Sequence, residues 1–189
     1  MKEISLNILD IAKNSTKAKA TLTTITIDET EDTLTLTISD DGCGMSEEIL
    51  EGVTNPFYTT RTTRNVGLGL PLLKLAAEQT GGSMEITSKS KEEYPDAHGT
   101  TVTAVFNKNH IDYTPLGNIT ETVVTLIQGH PDTDFCFSHM RDGRSVELDT
   151  REIREILENV PLNTYEVIVW IRENLREQYK SMQINIWRG

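Results

Sequence analysis

The sequence predicts an α+β fold, and three observations carry this prediction. Residues 3–18 place apolar side chains at helical spacing, which favours an amphipathic helix. Residues 22–28 and 33–39 are rich in Thr and Ile, and the second stretch alternates strictly between apolar and polar residues, as half-buried strands do. Two further strand-like stretches, 83–88 and 100–106, follow a second helical segment.

The segments between these elements carry turn and capping residues. An acidic turn, 29–32, joins the first two strands. Ser46 precedes two glutamates, a pattern that caps a short helix ending near Gly52. Residues 54–66 are predicted to form a loop, and a helix over 70–80 follows that a glycine pair ends.

The rest of the chain predicts a second, smaller unit, which also mixes helices and strands. We expect a helix over 120–128 and a hairpin of strands 135–140 and 144–148 around an Asp-Gly turn. Capping-box patterns predict two more helices, 149–159 and 163–182.

Together the elements predict two domains, residues 1–108 and a small α+β domain of unknown function over 109–189. The apolar periodicity of the second domain predicts a core of Leu126, Ile127, Phe135, Phe137, Ile153, Ile156, Leu157, Val167, Trp170, Ile171 and Leu175.

Composition excludes several classes of function. The formal net charge of −11 argues against a nucleic-acid-binding protein, which needs a basic face. No apolar run approaches the roughly 18 residues that span a bilayer, and the N-terminus lacks a signal-peptide pattern, so we expect a cytoplasmic protein without a membrane anchor. Cys43 and Cys136 are predicted to be free thiols. His130, Cys136 and His139 do not predict a zinc site, because no fourth ligand accompanies them.

Two glycine-bearing loops are candidates for ligand binding. Asp40 ends a predicted strand and is followed by Gly42 and Gly44, which permit close approach of a ligand to the backbone. Gly67 and Gly69 open a predicted helix, whose N-terminal amides can bind phosphate oxygens. Either loop by itself is equally compatible with an ordinary turn.

A polar stripe on the first helix is the third candidate. Asp10, Asn14 and Lys17 are spaced so that all three share one helical face. A carboxylate, an amide oxygen and a cation suit a magnesium-nucleotide site, since Mg²⁺ prefers hard oxygen ligands. The alternative is a solvated polar face.

Taken in order, five segments resemble the motifs of the GHKL ATPases, which include histidine-kinase catalytic domains, gyrase, mismatch-repair ATPases, heat-shock-90 chaperones and anti-sigma serine kinases. They are LDIAKNSTKA for the N box, DDGCGM for G1, NPFYTT for the F box, VGLGLPL for G2 and HGTTVTAVF for the last strand. The resemblance covers residues 4–106. The chain is also similar to stand-alone, histidine-kinase-like members that lack a phosphoacceptor domain.

The resemblance implies a Bergerat-type α/β sandwich, a mixed sheet with helices on one face, that binds ATP and Mg²⁺. Asp40 would hold the adenine amino group with help from Thr100, Asn14 would ligate Mg²⁺, and Lys17 would meet a phosphate. The full set of predicted nucleotide-binding residues is Asn14, Lys17, Asp40, Gly42, Gly44, Met45, Phe57, Arg61, Arg64, Gly67, Leu68, Gly69, Leu70 and Thr100.

Position 10 departs from the family's patterns. Gyrase-like ATPases and anti-sigma serine kinases have a glutamate four residues before the asparagine, which acts as a general base, and histidine kinases usually have asparagine there. Asp10 can accept a proton, although its side chain is one methylene shorter, and it is the predicted catalytic residue. A helix-surface position or an indirect contact to Mg²⁺ are the alternatives.

Two further departures concern what surrounds the domain. No histidine precedes His98, so we do not expect a complete histidine autokinase of the usual kind. No strand is predicted ahead of the first helix, so we expect the sheet to be trimmed there or completed by a partner.

The function that follows is that of an ATP-dependent enzyme, either a kinase of the anti-sigma or histidine-kinase-like type that acts on a separate protein, or a slow ATPase. A non-catalytic module that senses nucleotide and signals through residues 109–189 is the alternative. A scaffold that kept the fold without binding nucleotide is a third possibility. The partner's identity stays open, and an oligomer is possible.

Overall fold

The computed structural model describes residues 3–53 and 69–182 of the chain. Its helices and strands follow one another in the order that the sequence predicts. The helices are α1 (Ile4–Lys17), α2 (Glu47–Val53), α3 (Gly69–Gln79), α4 (Ile119–Gly129), α5 (Thr150–Leu157) and α6 (Tyr165–Ser181). The strands are β1 (Leu22–Glu29), β2 (Thr33–Asp40), β3 (Ser83–Lys89), β4 (Gly99–Asn107), β5 (Asp134–Arg141) and β6 (Arg144–Asp149).

All these strands belong to one six-stranded sheet, in the order β3-β4-β2-β1-β5-β6. The pair of β1 with β5 is parallel and the other pairs are antiparallel, so the sheet is mixed. This confirms the predicted α+β fold of the Bergerat type.

The central strands bury one face and leave the other polar, because their apolar residues alternate with threonine and serine. The buried face carries Ile25, Ile27, Leu34, Leu36, Ile38, Val102, Ala104 and Phe106. Helix α1 contributes Ile4, Ile8, Ile11 and Ala12 to the same core, and α3 and α4 pack against α1 beside it. The helical layer therefore places one side of α1 over the ends of β2 and β4.

The second half of the chain extends this sheet. Strand β5 pairs with the whole length of β1, from Leu22 opposite Asp134 to Glu29 opposite Arg141. The edge of β1 that the sequence leaves without a predicted neighbour is thus occupied by the chain itself. The boundary predicted after residue 108 falls between β4 and α4, and it stays a prediction, although residues on both sides of it share one sheet and one core.

The start of α1 also depends on the second half. The backbone amide of Ile4 donates to the carbonyl of Pro115 at 3.0 Å, and that of Ser5 donates to the carbonyl of Leu116 at 2.8 Å. These carbonyls satisfy two of the amides that every helix leaves free at its N-terminus. The segment after β4 therefore caps the helix that carries the polar stripe.

A buried polar cluster joins β1, β5 and α6. The ring of His139 is fully buried, with Nδ1 2.9 Å from the Tyr179 hydroxyl and Nε2 3.1 Å from Oε2 of Glu29. Because a carboxylate only accepts hydrogen bonds, Nε2 carries a proton and donates to Glu29. Lys108 lies 2.7 Å and Arg141 3.6 Å from the other carboxylate oxygen of Glu29. The cluster ties the two halves of the chain together through charge-assisted hydrogen bonds.

Two of the predicted core residues are exposed, and a third, Leu157, is partly buried against the core. Ile156 on α5 is 81% exposed and Trp170 on α6 is 51% exposed. The prediction was wrong because periodicity identifies the apolar face of a helix but not whether another element covers it. Both helices follow β6, the last strand of the sheet, and beyond it no described element covers these side chains. Helix α5 also ends at Leu157, two residues before the predicted end.

Two other expectations concern the cysteines and the membrane. Cys43 and Cys136 are free thiols, as predicted. Among the helices that the structure describes, none combines the length and the apolar composition needed to cross a bilayer.

Candidate functional site

A cavity of about 360 Å³ lies between α1, the start of α3 and the ends of β2 and β4. Its walls are mainly apolar and are formed by Ile11, Ile38, Met45, Ile49, Leu70 and Val102. The polar groups that reach it belong to Asn14, Ser15, Lys17, Asp40, Cys43 and Thr100. Apolar walls with a few polar groups at defined points are typical of sites that bind a small organic ligand.

The carboxylate of Asp40 is held by two hydrogen bonds. The hydroxyl of Ser15 on α1 donates to Oδ2 at 2.7 Å, and the backbone amide of Gly42 donates to Oδ1 at 2.9 Å. Each carboxylate oxygen can accept more than one hydrogen bond, so Asp40 retains acceptor capacity toward the cavity. The sequence singled out Asp40, and the structure shows what orients it.

Ser88 on β3 connects the loop after β2 to strand β4. Its hydroxyl lies 2.9 Å from the Thr100 hydroxyl and 3.0 Å from the Gly99 carbonyl, and it accepts from the backbone amide of Met45 at 2.8 Å. Asp40 and Thr100 are direct partners across β2 and β4. Sequence reasoning missed Ser88, although its pairing with Thr100 across β3 and β4 would have indicated it once the register was known.

Two glycines keep this corner of the cavity open. Gly44 has a φ of +65°, and a Cβ there would overlap the carbonyl of Lys89. Gly99 has a φ of +137°, and a Cβ there would overlap the carbonyl of Asp40. A side chain at either position would push the loop or β4 away, so the shape of the cavity requires glycine at both.

His98 contacts the same loop. Its Nδ1 lies 2.6 Å from the carbonyl oxygen of Gly42 and the residue is partly buried. A carbonyl oxygen only accepts, so Nδ1 carries the proton in this contact. His98 holds the loop from the β4 side while the amide of Cys43 donates to the carbonyl of Ala18 at 2.9 Å from the α1 side.

Two of the three residues of the polar stripe on α1 line the cavity. Asn14 and Lys17 line it, and Asn14 is half-buried. Asp10 is exposed and does not line the cavity itself; a Cβ built on Gly69 would lie 3.2 Å from the Asp10 Cβ. Asp10 therefore stands beside the first residue of α3, where the free backbone amides of that helix begin.

Several predicted residues lie outside the part of the chain that the structure describes. These are Phe57, Arg61, Arg64, Gly67 and Leu68. Of the other members of the predicted set, Asn14, Lys17, Asp40, Gly44, Met45, Leu70 and Thr100 line the cavity, Gly42 bonds Asp40, and Gly69 starts α3.

A mixed sheet with a helical layer over one face, and an oriented aspartate in a mainly apolar cavity beneath the first helix, define an ATP-binding domain of the Bergerat type. Residues 1–110 match the family described as histidine kinase-, DNA gyrase B- and HSP90-like ATPases. The chain belongs to this family.

The relatives agree with this assignment. The chain is 35% identical over 94 residues to the sensor protein SrrB of Staphylococcus aureus strain NCTC 8325, which covers 47% of this chain and 16% of that sensor. It therefore spans a small part of the sensor's length. Among solved structures it resembles the Aquifex aeolicus MutL ATPase domain complexed with ADP, with a TM-score of 0.51, 13% identity, and coverage of 84% of this chain and 70% of that one.

The N-terminal domain of a DNA repair protein is similar to the same degree, with a TM-score of 0.51 and 15% identity over 78% of this chain and 52% of that one. At these identities the two structures support the fold alone.

Proposed function

We propose that this chain binds Mg-ATP in the cavity under α1 and uses it as an enzyme, either as a kinase acting on a separate protein or as a slow ATPase. The observation that carries the proposal is the carboxylate of Asp40, fixed by Ser15 and Gly42 at the end of a mainly apolar cavity. In this reading residues 1–108 form the nucleotide-binding domain and residues 109–189 a second unit that faces a partner.

Adenine fits the chemistry of the cavity. A purine ring is largely apolar, as are the walls formed by Ile38, Met45 and Val102. Its exocyclic amino group needs an acceptor, which Asp40 supplies. A partly buried acceptor of this kind discriminates between ligands, because an analogue without the amino group leaves the carboxylate without its partner. The proposal thus predicts a preference for adenine over guanine, whose corresponding position is a carbonyl.

Two polar groups that line the cavity fit a magnesium-bound phosphate chain. Asn14 offers a hard amide oxygen and Lys17 a cation on the same helical face. We assign Asn14 to the metal and Lys17 to a phosphate. A magnesium ion bound with the nucleotide would offset negative charge on the phosphates and help to orient them. Gly69 lets the start of α3 lie close to α1, because a Cβ there would be 3.2 Å from the Asp10 Cβ. The free amides at this helix N-terminus would then bind phosphate oxygens.

Asp10 is the proposed catalytic base. It is exposed and adjoins the first residue of α3, and in this proposal its carboxylate accepts a proton from an attacking water or a partner's hydroxyl beside the phosphates. Its distance to that attacking group depends on the bound nucleotide.

Calorimetry tests nucleotide binding. The wild-type chain is titrated with ATP and Mg²⁺, with GTP as the specificity control. Asp40→Asn should abolish uptake of ATP, because Ser15 and Gly42 each donate to one carboxylate oxygen, and the amide replaces one of these two acceptors with a donor. Asp41→Asn is the matched control, since the Asp41 carboxylate binds the amides of Thr21 and Leu22 and does not line the cavity. If the wild type took up no adenine nucleotide, the proposal would be wrong.

Turnover tests the enzymatic part. Phosphate release, and transfer of radiolabelled phosphate to proteins of a cell extract, are measured for the wild type and for Asp10→Asn. A base role predicts loss of turnover by about a hundredfold or more with unchanged ATP affinity. If Asp10→Asn left turnover unaffected, Asp10 would not be the catalytic base. If the wild type showed no turnover at all, the chain would not be an enzyme of this kind.

A nucleotide-sensing module is the second candidate, favoured by the contacts between α1 and the second half. The carbonyls of Pro115 and Leu116 cap α1, and the Thr122 hydroxyl donates to the carbonyl of Ser5 at 3.3 Å. A change at Asn14 would thus be transmitted along α1 to the second unit. Hydrogen exchange of α4 with and without ATP discriminates the candidates: changed protection without turnover favours sensing.

The acidic charge of the chain bears on the partner. A net charge of −11 disfavours nucleic acid and an anionic lipid surface, so we infer that the partner is a protein.

A further inference from the structure

A groove of about 470 Å³ lies at the far end of the sheet, lined by strands β5 and β6 and by helices α5 and α6. The sheet order places this groove at the β6 edge, whereas the nucleotide cavity lies at the ends of β2 and β4. The proposed function leaves this groove without a role.

The groove exposes large apolar side chains. Ile156 and Trp170 line it and are 81% and 51% exposed, while Ile153 beside them is buried. Val160 and Tyr165, in and after the segment that joins the two helices, are also exposed, but they do not line the groove. Isolated apolar residues are normal at a surface, whereas two large exposed ones that line the same concavity favour a binding surface, and tryptophan is prominent among residues that dominate binding energy.

The polar lining of the groove is acidic. Glu147, Asp149 and Glu152 contribute to it, and no lysine or arginine of the described residues lines it. Arg151 neutralises Asp149 with a salt bridge of 2.6 Å. Within residues 3–53 and 69–182, Glu147 and Glu152 have no salt-bridge partner. Burial and then the charges of these acids raise the pKa of Cys136 in the same groove, consistent with a negative potential.

The edge of β6 is closed to one mode of binding. The carboxamide of Gln178 accepts from the backbone amide of Glu147 at 2.9 Å and donates to its carbonyl at 3.0 Å. At Glu147 these are the groups that an added strand would need. At this point of the edge a partner therefore enters the groove with its side chains and does not extend the sheet.

We propose that the groove binds a basic, amphipathic helical segment of a partner protein, with apolar side chains against Ile156 and Trp170 and cationic side chains against Glu147 and Glu152. A helix that presents one apolar stripe and one cationic face matches this combination. A second copy of the chain is disfavoured as the occupant, because two molecules with a net charge of −11 repel each other. This proposal does not depend on nucleotide binding.

A synthetic amphipathic helix of lysine and leucine serves as the probe, with its glutamate–leucine counterpart as the charge control. Trp187→Phe leaves Trp170 as the single tryptophan, because the chain has only these two. We expect a blue shift of Trp170 emission and one-to-one calorimetric binding with the lysine peptide, and neither with the glutamate peptide. Absence of binding, or equal binding of both peptides, would overturn the proposal.

Matched variants localise the binding. Glu147→Lys with Glu152→Lys should weaken the lysine peptide about tenfold or more, whereas Glu92→Lys with Glu93→Lys, an equal charge change in exposed residues between β3 and β4, should not. Ile156→Ser should weaken it about tenfold, whereas Ile111→Ser, at a residue 94% exposed, should not. If a groove variant and its control weakened peptide binding equally, the peptide would be held by non-specific attraction and the proposal would be wrong. Self-association that Ile156→Ser abolishes would assign the groove to a second copy and overturn the proposal.

Discussion

Ser15 donates a hydrogen bond from its hydroxyl to Oδ2 of Asp40 across 2.7 Å, joining α1 to the end of β2. Ser15 is buried and lies next to Asn14, so the helix that presents the proposed magnesium ligand also orients the proposed adenine acceptor. The proposed contacts to adenine and to magnesium therefore both depend on the position of α1.

Ser15→Ala should weaken ATP binding about tenfold, because a hydrogen bond to a carboxylate is worth about 1.5 kcal/mol or more and its loss lets Asp40 rotate. Ser5→Ala is the matched control: Ser5 is buried on the same helix and its hydroxyl donates to Glu3 at 3.2 Å, remote from the cavity. Calorimetry with ATP and Mg²⁺ measures both. Equal affinities for the wild type and Ser15→Ala would show that Gly42 alone suffices to orient Asp40.

Gly99→Ala should destabilise the fold by about 3 kcal/mol, since the new Cβ overlaps the carbonyl of Asp40 and the backbone has a φ of +137°. Gly143→Ala should cost only about 1 kcal/mol, because its φ of +74° is unfavourable but nothing lies within 4 Å of the new Cβ. Urea unfolding gives both values. A smaller loss for Gly99→Ala than for Gly143→Ala would contradict the close approach of β4 to Asp40.

Glu29 predicts a pH dependence of stability. Burial acts to raise its pKa, but hydrogen bonds from His139 and Lys108, with the charges of Lys108 and Arg141, outweigh burial and lower the pKa from 4.5 to about 2. A carboxylate whose pKa is lower in the folded state stabilises the fold above its unfolded pKa, and this contribution is lost as the pH falls toward the folded pKa. The loss should thus run from about pH 4.5 down to about pH 2.

Glu29→Gln isolates this contribution. The side chain of Glu29 is only 11% exposed, so solvent screens its pairs weakly, and we expect the variant to be less stable than the wild type by about 2 kcal/mol at pH 7. The difference should shrink as the pH falls below 4.5. Chemical unfolding at several pH values measures it. A difference that stays constant from pH 6 to about pH 2 would contradict the ionised, paired Glu29.

Gln178→Ala should destabilise the chain by about 1 kcal/mol and increase its association at high concentration. The variant removes the carboxamide that satisfies the amide and carbonyl of Glu147 at the edge of β6. Glu177→Ala, an exposed neighbour on the same helix, is the control. Urea unfolding and sedimentation velocity give the two readouts, and a variant with wild-type stability and mass would show that water replaces the carboxamide at no cost.

Much of the fold follows from local patterns. The alternation in residues 33–39 predicts β2, and the structure confirms it with buried Leu34, Leu36 and Ile38. The hairpin around Asp142 and Gly143 is equally local, because both residues have the positive φ that such a turn needs. What local patterns could not predict is which strands become neighbours. The parallel pairing of β5 with β1 joins residues more than a hundred positions apart in the chain.

The candidate site divides in the same way. Asp40, Asn14 and the glycines stand in recognisable motifs, whereas Ser88 and His98 act through contacts across strands and loops that no short motif encodes. Burial cannot be predicted from short motifs either. Ile153 and Ile156 both continue the apolar pattern of α5, but only Ile153 is buried in the structure.

The order of residues alone determined the helices and strands of this protein, its family motifs and the chemical types of side chain available for a nucleotide, because propensity, periodicity and short motifs act over neighbouring residues. The tertiary structure alone decided that the second half completes the sheet beside β1, that Ser15 orients Asp40, and that Ile156 and Trp170 remain exposed. These features depend on contacts between distant segments, whose free energies emerge only when the chain packs.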